Sequence, residues 1–358
     1  MSIMFTSTRL GEIELSNRIV MAPMTRDRAG LQDDAPTDLM VEYYRQRAGA
    51  GFIVTEGVQP SPAGKGYWRT PGIHSQAQVK GWRQVNDAVH ARGGKLVMQL
   101  MHCGRVSLQA NKDALAETVA PSAVPAGVKV PGPDGTPQDA DVPRAFALSE
   151  IPEVIEQYVT AARNAREAGL EGVELHCASG YLPMQFLSSS SNIRTDRYGG
   201  SVQNRVRFVV ETLEAMADAI GPGRVGFRIC PGHTINGIDD ANPEETYGEL
   251  LSSVAGLDLA YLHLIRLPLE SFDPLALVHA RWKGGVILNN SLSFEDAERI
   301  VAAGEADAVS FGRHFVSNPD LVERFRAGKP LAKLDRNTLY TGLGDDAKGH
   351  TDYSALAE

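Results

Sequence analysis

The sequence predicts an α/β fold, a single (β/α)8 TIM barrel, on three observations. Short apolar runs alternate with longer helical patterns along the 358 residues, the runs are almost continuously hydrophobic, and polar groups gather at the same end of each. A strand covered on both faces loses the alternation of a half-exposed one, so unbroken Val/Ile/Leu runs read as parallel strands packed under helices. Eight such runs, each followed by a helix or by room for one, favour a closed barrel over an open doubly wound sheet.

In chain order, the strand candidates are residues 18–21, 52–55, 95–100, 172–176, 225–229, 260–264, 285–288 and 308–311. Helical patterns occupy 38–48, 75–92, 151–168, 202–219, 243–254, 293–303 and 319–326. Ser293 ahead of Glu295 and Asp296, and Asn318 ahead of Pro319, are helix-start signals. Gly169, Gly221 and Gly304 stand where helices should stop. Two stretches exceed the roughly 250 residues typical of the fold. Residues 101–148, rich in Pro, Gly, Ala and Asp, form a lid-like insertion after the third strand, since loops of that length are usually functional. Residues 329–358 form a tail without strong periodicity. No linker divides the chain, so 1–358 is expected to be one domain.

Composition narrows the function. With 35 Lys and Arg against 44 Asp and Glu, the net charge is −9 and no basic run occurs, which argues against nucleic acid or an anionic membrane surface as partner. Three cysteines make no disulfide framework and fit a reducing compartment. The N-terminal residues lack a signal-peptide layout and no long apolar run exists, so a cytoplasmic location is expected. Gly342-Leu343-Gly344 with Ala347 matches a dinucleotide fingerprint but has no strand–helix unit around it, and Gly49-Ala50-Gly51 precedes a strand instead of following one. A nicotinamide would not sit on a Rossmann unit here.

Chemistry in a barrel belongs at the C-terminal strand ends. The first strand runs into Ala22-Pro23-Met24-Thr25, the second ends at Glu56-Gly57, and the third carries Gln99 before Met101-His102-Cys103-Gly104-Arg105. The fourth reads Glu174-Leu175-His176-Cys177-Ala178-Ser179-Gly180-Tyr181, and the fifth ends at Arg228 and Cys230. His263 ends the sixth, Asn289-Asn290-Ser291 the seventh and Gly312-Arg313 the eighth. A glycine and an arginine after the last strand suit a phosphate, through close backbone approach and a cation. His102-Cys103, His176-Cys177 and Cys230 invite a metal, but sequence neighbours point to opposite sides and neither His-x-His on the first strand nor Cys-x-x-Cys occurs, so no metal is expected. A glycosidase would need two facing carboxylates; Glu56 and Glu174 are the nominees, and Glu174 sits inside a strand as barrel packing.

Further ordered motifs accompany these: Gly66-Tyr67, Thr70-Pro71-Gly72-Ile73, Gln185-Phe186-Leu187, Arg194-Thr195-Asp196, Tyr198-Gly199-Gly200-Ser201, Asn204-Arg205 and Asn318-Pro319-Asp320-Leu321. Over nearly its whole length the chain resembles the Old Yellow Enzyme family of FMN-dependent ene-reductases. The resemblance implies FMN at the barrel mouth and NADPH or NADH as hydride donor. It sets Pro23, Met24 and Thr25 along the isoalloxazine, Gly57 as a backbone donor, Gln99 on the pyrimidine portion and Arg228 near N1 and O2. Gly312 and Arg313 would hold the phosphate, with Asn289, Asn290 and Ser291 beside them. His176 would donate to the carbonyl oxygen of an α,β-unsaturated substrate, and Tyr181 would deliver a proton. Tyr67, Met101 and His350 would line the substrate pocket.

The chain departs from the family pattern at several positions. Ser179 stands where a second donor, Asn or His, is usual; Met101 replaces a tryptophan; Asn290-Ser291 replaces a glycine-rich turn; and His350 replaces a tyrosine. These leave the FMN assignment intact and shift the expected substrate range. Reduction of activated C=C bonds is the leading reading. A desaturase or isomerase acting on a specialised metabolite, or a flavin-binding protein without reductase activity, are the alternatives. The expected partner is a small unsaturated carbonyl compound, and the protein would be a monomer or homodimer.

Overall fold

The computed structural model describes residues 2–267, 269–340 and 345–356. Its barrel strands are β1 (Ile19–Met21), β2 (Ile53–Val58), β3 (Leu96–Leu100) and β4 (Gly172–Cys177), then β5 (Val225–Ile229), β6 (Tyr261–Ile265), β7 (Gly285–Asn289) and β8 (Ala308–Phe311). All eight are parallel, each pairs with its sequence neighbours, and β8 closes on β1. The α/β barrel expected from the apolar runs is therefore the fold. β2 continues to Val58 instead of stopping at residue 55, and a register irregularity between Val54 and Gly57 sets Gly57 opposite Gln99.

Around the barrel lie α1 (Asp38–Gln46), α2 (Gln76–His90), α3 (Glu150–Glu167) and α4 (Val202–Ile220), followed by α5 (Pro243–Val254), α6 (Pro274–Arg281), α7 (Phe294–Ala302) and α8 (Leu321–Ala327). Side-chain caps fix several starts: Ser293 accepts from the Asp296 amide as expected, and Ser75 with Gln78 closes a capping box. Gly169, Gly221 and Gly304 all take positive φ just past a helix, where a side chain would be strained. Two details depart from expectation. α6, capped by Asp273, falls in a segment given no helix, and the last helix begins at Leu321, because Asn318 ends the short helix Arg313–Ser317.

A hairpin of Thr8–Leu10 and Ile13–Leu15 plugs the N-terminal end of the barrel. Leu10, Ile13 and Leu15 pack there on Val20, Phe52, Val54, Val97, Tyr261 and Ile287. Its turn needs Gly11: φ is +56°, and a Cβ would lie 2.6 Å from the Ala260 Cα.

At the other end, the insertion of residues 101–148 forms no α-helix. It carries two small ladders, Val119–Ala120 with Arg144–Ala145 and Lys129–Pro131 with Pro137–Asp139. Its own apolar cluster of Val106, Leu108, Ala126 and Val130 packs against Tyr67 and Tyr181. The tail is clasped to the loop after β1: Arg26 donates to the Leu339 carbonyl at 2.8 Å and the Gly349 carbonyl at 2.7 Å. The Gly342-Leu343-Gly344 pattern lies outside the described residues. No described helix is long and apolar enough to cross a membrane, and no cluster of metal-binding side chains exists among the described residues.

Candidate active site

The strand ends converge on a cleft of about 350 Å³ at the C-terminal mouth of the barrel. It is lined by Pro23, Met24, Thr25, Arg26, Gln99, Met101, His176, Ser179, Tyr181, Arg228 and Arg313, together with Leu339 and Tyr340 from the tail. Strand register explains the convergence: Gln99 pairs with Glu174 across β3 and β4, and His176 with Arg228 across β4 and β5.

Two of these lining side chains, Gln99 and Arg228, are joined through buried neighbours by one hydrogen-bonded chain. Gln99 Nε2 donates to Glu174 Oε1 at 2.8 Å, and the other Glu174 oxygen lies 2.8 Å from His263 Nδ1. His263 Nε2 is 2.7 Å from Ser310 Oγ, which accepts from Asn289 Nδ2 at 2.9 Å. Asn289 Oδ1 in turn accepts from Arg228 Nη2 at 3.2 Å. Burial pushes the Glu174 carboxyl up, but His263, Arg228 and the Gln99 amide outweigh it and hold the group below its ordinary value, ionised. Burial pushes His263 below its ordinary value against the opposing pull of the Glu174 charge; with Nδ1–H turned to that carboxylate, Nε2 is left to accept from Ser310.

The other expected residues take distinct places. Gly57 lies beneath Met101, whose thioether fills the space a Cβ would need. Tyr67 sits behind Tyr181, their hydroxyls 3.1 Å apart. Ser291, at φ +39°, accepts from Arg313 Nη2 at 3.1 Å, and Asn290 adjoins it in the same loop. Gly312 leaves the backbone close to Met24. Ser179 lines the cleft at φ +57°, its amide donating to Cys230 Sγ and its carbonyl accepting from Asn236. His350 is not brought to the cleft: it is fully buried with its ring 4.2 Å from that of Tyr43.

Arg26 and the tail residues Leu339 and Tyr340 were not among the sequence candidates. Neither was the Glu174–His263 pair, read as packing and as a bare strand end. A glutamate inside a wholly buried strand was the available signal, because an unpaired carboxylate is almost never fully buried.

His176 and Tyr181 give the cleft its acid–base character. Burial and the nearby Arg228 push His176 down to about 3, so the ring is a neutral donor. Burial and Tyr67 hold Tyr181 well above the ordinary phenol range, so it keeps its proton. Among the residues that line the cleft, three buried polar atoms have no protein partner: Arg26 Nη1, His176 Nδ1 and Arg228 Nε. Such orphans at a concave site fit a bound polar group, and a cation with an amide and backbone loops suits the pyrimidine edge of a flavin.

Residues 3–332 match the sequence profile of the NADH:flavin oxidoreductase / NADH oxidase family. A protein of Leishmania infantum, described as a probable flavin mononucleotide-dependent alkene reductase, is 41% identical over 98% of this chain and 97% of its own length. 12-Oxophytodienoate reductase 7 of Oryza sativa subsp. japonica is 38% identical over 99% of this chain and 95% of its own. Among solved structures, morphinone reductase in complex with tetrahydroNAD superposes with a TM-score of 0.92 at 42% identity, covering 99% of this chain and 98% of that one. The Old Yellow Enzyme homologue from Zymomonas mobilis gives 0.93 at 38% identity, covering 99% of both chains. The chain therefore belongs to the NADH:flavin oxidoreductase / NADH oxidase family of Old Yellow Enzyme type, with FMN as cofactor and a nicotinamide as hydride donor.

Proposed function

We propose that this flavin oxidoreductase reduces the activated C=C bond of small α,β-unsaturated carbonyl compounds, with His176 and Tyr181 as its catalytic pair. When bound, FMN supplies the hydride chemistry between the nicotinamide and the β-carbon of the substrate. Pro23, Met24, Thr25, Gly57 and Gln99 would hold the ring, Arg228 would face the negative charge of its reduced form, and Gly312 and Arg313 with residues 289–291 would take the phosphate.

As hydride reaches the β-carbon, negative charge grows on the carbonyl oxygen, and a donor aimed at that oxygen lowers the barrier. His176 suits this: held neutral, it donates a hydrogen bond without being a strong acid. Tyr181 suits delivery of a proton to the α-carbon, since it stays protonated across the working pH range. Hydride and proton together add two hydrogens across the double bond.

The meeting of this pair with Arg228 at one cleft carries the reading. Anaerobic mixing with NADPH, then NADH, should bleach the yellow protein, and cyclohexenone should restore the colour. Bleaching reversed by oxygen alone would overturn it in favour of a desaturase or isomerase acting on a specialised metabolite. That second reading draws on Ser179, a shorter side chain where the family places a second carbonyl donor.

A further inference from the structure

We propose that Glu174 is a positioning residue which, through its bonds to Gln99 and His263 and the further links to Ser310, Asn289 and Arg228, sets the reduction potential of the bound FMN. The chain of contacts passes through six of the eight strands and joins the two side chains expected at the pyrimidine side of the ring, Gln99 and Arg228. It rests on the FMN site described above.

Two consequences follow from donor and acceptor chemistry. An ionised carboxylate only accepts, so Glu174 fixes which end of the Gln99 amide is tethered: Nε2 is held, and Oε1 stays free as an acceptor. At the other end, Asn289 Oδ1 ties one Arg228 nitrogen while Nε is left buried and unpartnered. The cleft is thus given one oriented amide and one oriented cation, both anchored from behind.

The charges act against each other. Negative charge gained at the cleft on reduction is favoured by Arg228 and opposed by the buried Glu174. Both side chains lie where water screens little, Glu174 with no exposed surface and Arg228 with 7%. Removing either charge, or loosening its anchor, therefore moves the potential in a direction set by its sign.

The test is the midpoint potential of FMN bound to the holoenzyme and its variants, with FMN affinity measured alongside. Glu174→Gln should move the potential positive and weaken FMN binding about tenfold, as Gln99 loses its charged acceptor. Glu174→Asp keeps the charge, so the potential should stay near wild type while affinity falls. Asn289→Ala frees Arg228 and should move the potential negative. A purely structural role would lower affinity and melting temperature in all three without opposite potential shifts. If Glu174→Gln does not fold, the wild-type infrared difference spectrum between oxidised and reduced states, with labelled glutamate, decides: a carboxylate band must shift. An unchanged potential in FMN-loaded Glu174→Gln, or no glutamate carboxylate band, overturns the proposal. Failure of wild-type protein to bind FMN would instead overturn the cofactor site itself.

Discussion

The two ends of the barrel are built from the same eight strands and differ completely in chemistry. At the N-terminal end, inward side chains such as Val20, Val54, Val97 and Ile287 meet the hairpin plug and form a dry apolar cluster. Nearer the C-terminal end the inward positions become Gln99, Glu174, Arg228, His263 and Ser310, all buried and joined by hydrogen bonds, Arg228 by way of Asn289. One end stabilises through area removed from water. The other keeps costly polar groups in place because each is partnered. Folding energy and chemistry are separated along the barrel axis, so a substitution at one end should leave the property of the other nearly untouched.

The largest effect tests the mouth. His176→Ala should slow reoxidation of the reduced enzyme by an enone by about 10²–10³-fold, the usual loss for one donor to a developing oxyanion. FMN content and melting temperature should stay close to wild type. A stopped-flow rate within threefold of wild type would remove His176 from the carbonyl. At the plug, Leu10→Ala should cost about 2–5 kcal/mol of stability, seen as a lower melting temperature, while turnover per bound FMN holds. Loss of turnover per flavin there would break the separation of the two ends.

How much of this was readable follows the same division. All eight strands could be placed from the sequence because parallel strands buried on both faces are unbroken apolar runs. Gln99, His176, Tyr181, Arg228 and Arg313 could be singled out as polar groups at strand ends, and the structure gathers them at one cleft. Glu174 and His263 could not be joined in advance, since nothing in sequence spacing brings β4 beside the interior of β6 until the barrel closes. α6 was missed because it is short and follows an irregular segment, so its apolar period is brief. The resemblance sent His350 to the pocket, but the packing of its ring on Tyr43 and the Arg26 clasp turn that segment inward.

That clasp yields a smaller prediction. Burial and the neighbouring Glu56 raise the Asp27 carboxyl from 3.8 to about 7, although Arg28 and Arg26 work against the rise. Burial likewise lifts Glu56 from 4.5 to about 7. The unfolded chain gives up these protons at the lower values, so between them the folded state binds more protons. Stability from these groups is full at the acid end and is lost as pH rises through about 7. The melting temperature should fall as pH rises from about 4 to about 7 and level off above that, and Asp27→Asn should flatten that slope. An unaltered slope would show that Asp27 does not titrate there.

The smallest effect concerns Ser179, which stands where the resemblance leads one to expect a second donor. Its backbone sits in the left-handed region at φ +57°, which Asn tolerates better than Ser. Ser179→Asn should therefore fold at least as well as wild type and place a longer amide donor in the cleft beside His176. One added hydrogen bond contributes about 0.5–1.5 kcal/mol, so the kcat/KM for a small cyclic enone should rise a few-fold, with nicotinamide oxidation unchanged. Equal kcat/KM in the two proteins would mean that the serine does not limit enone reduction. The restriction on substrate would then lie with Met101 or with the tail residues Leu339 and Tyr340 that also line the cleft.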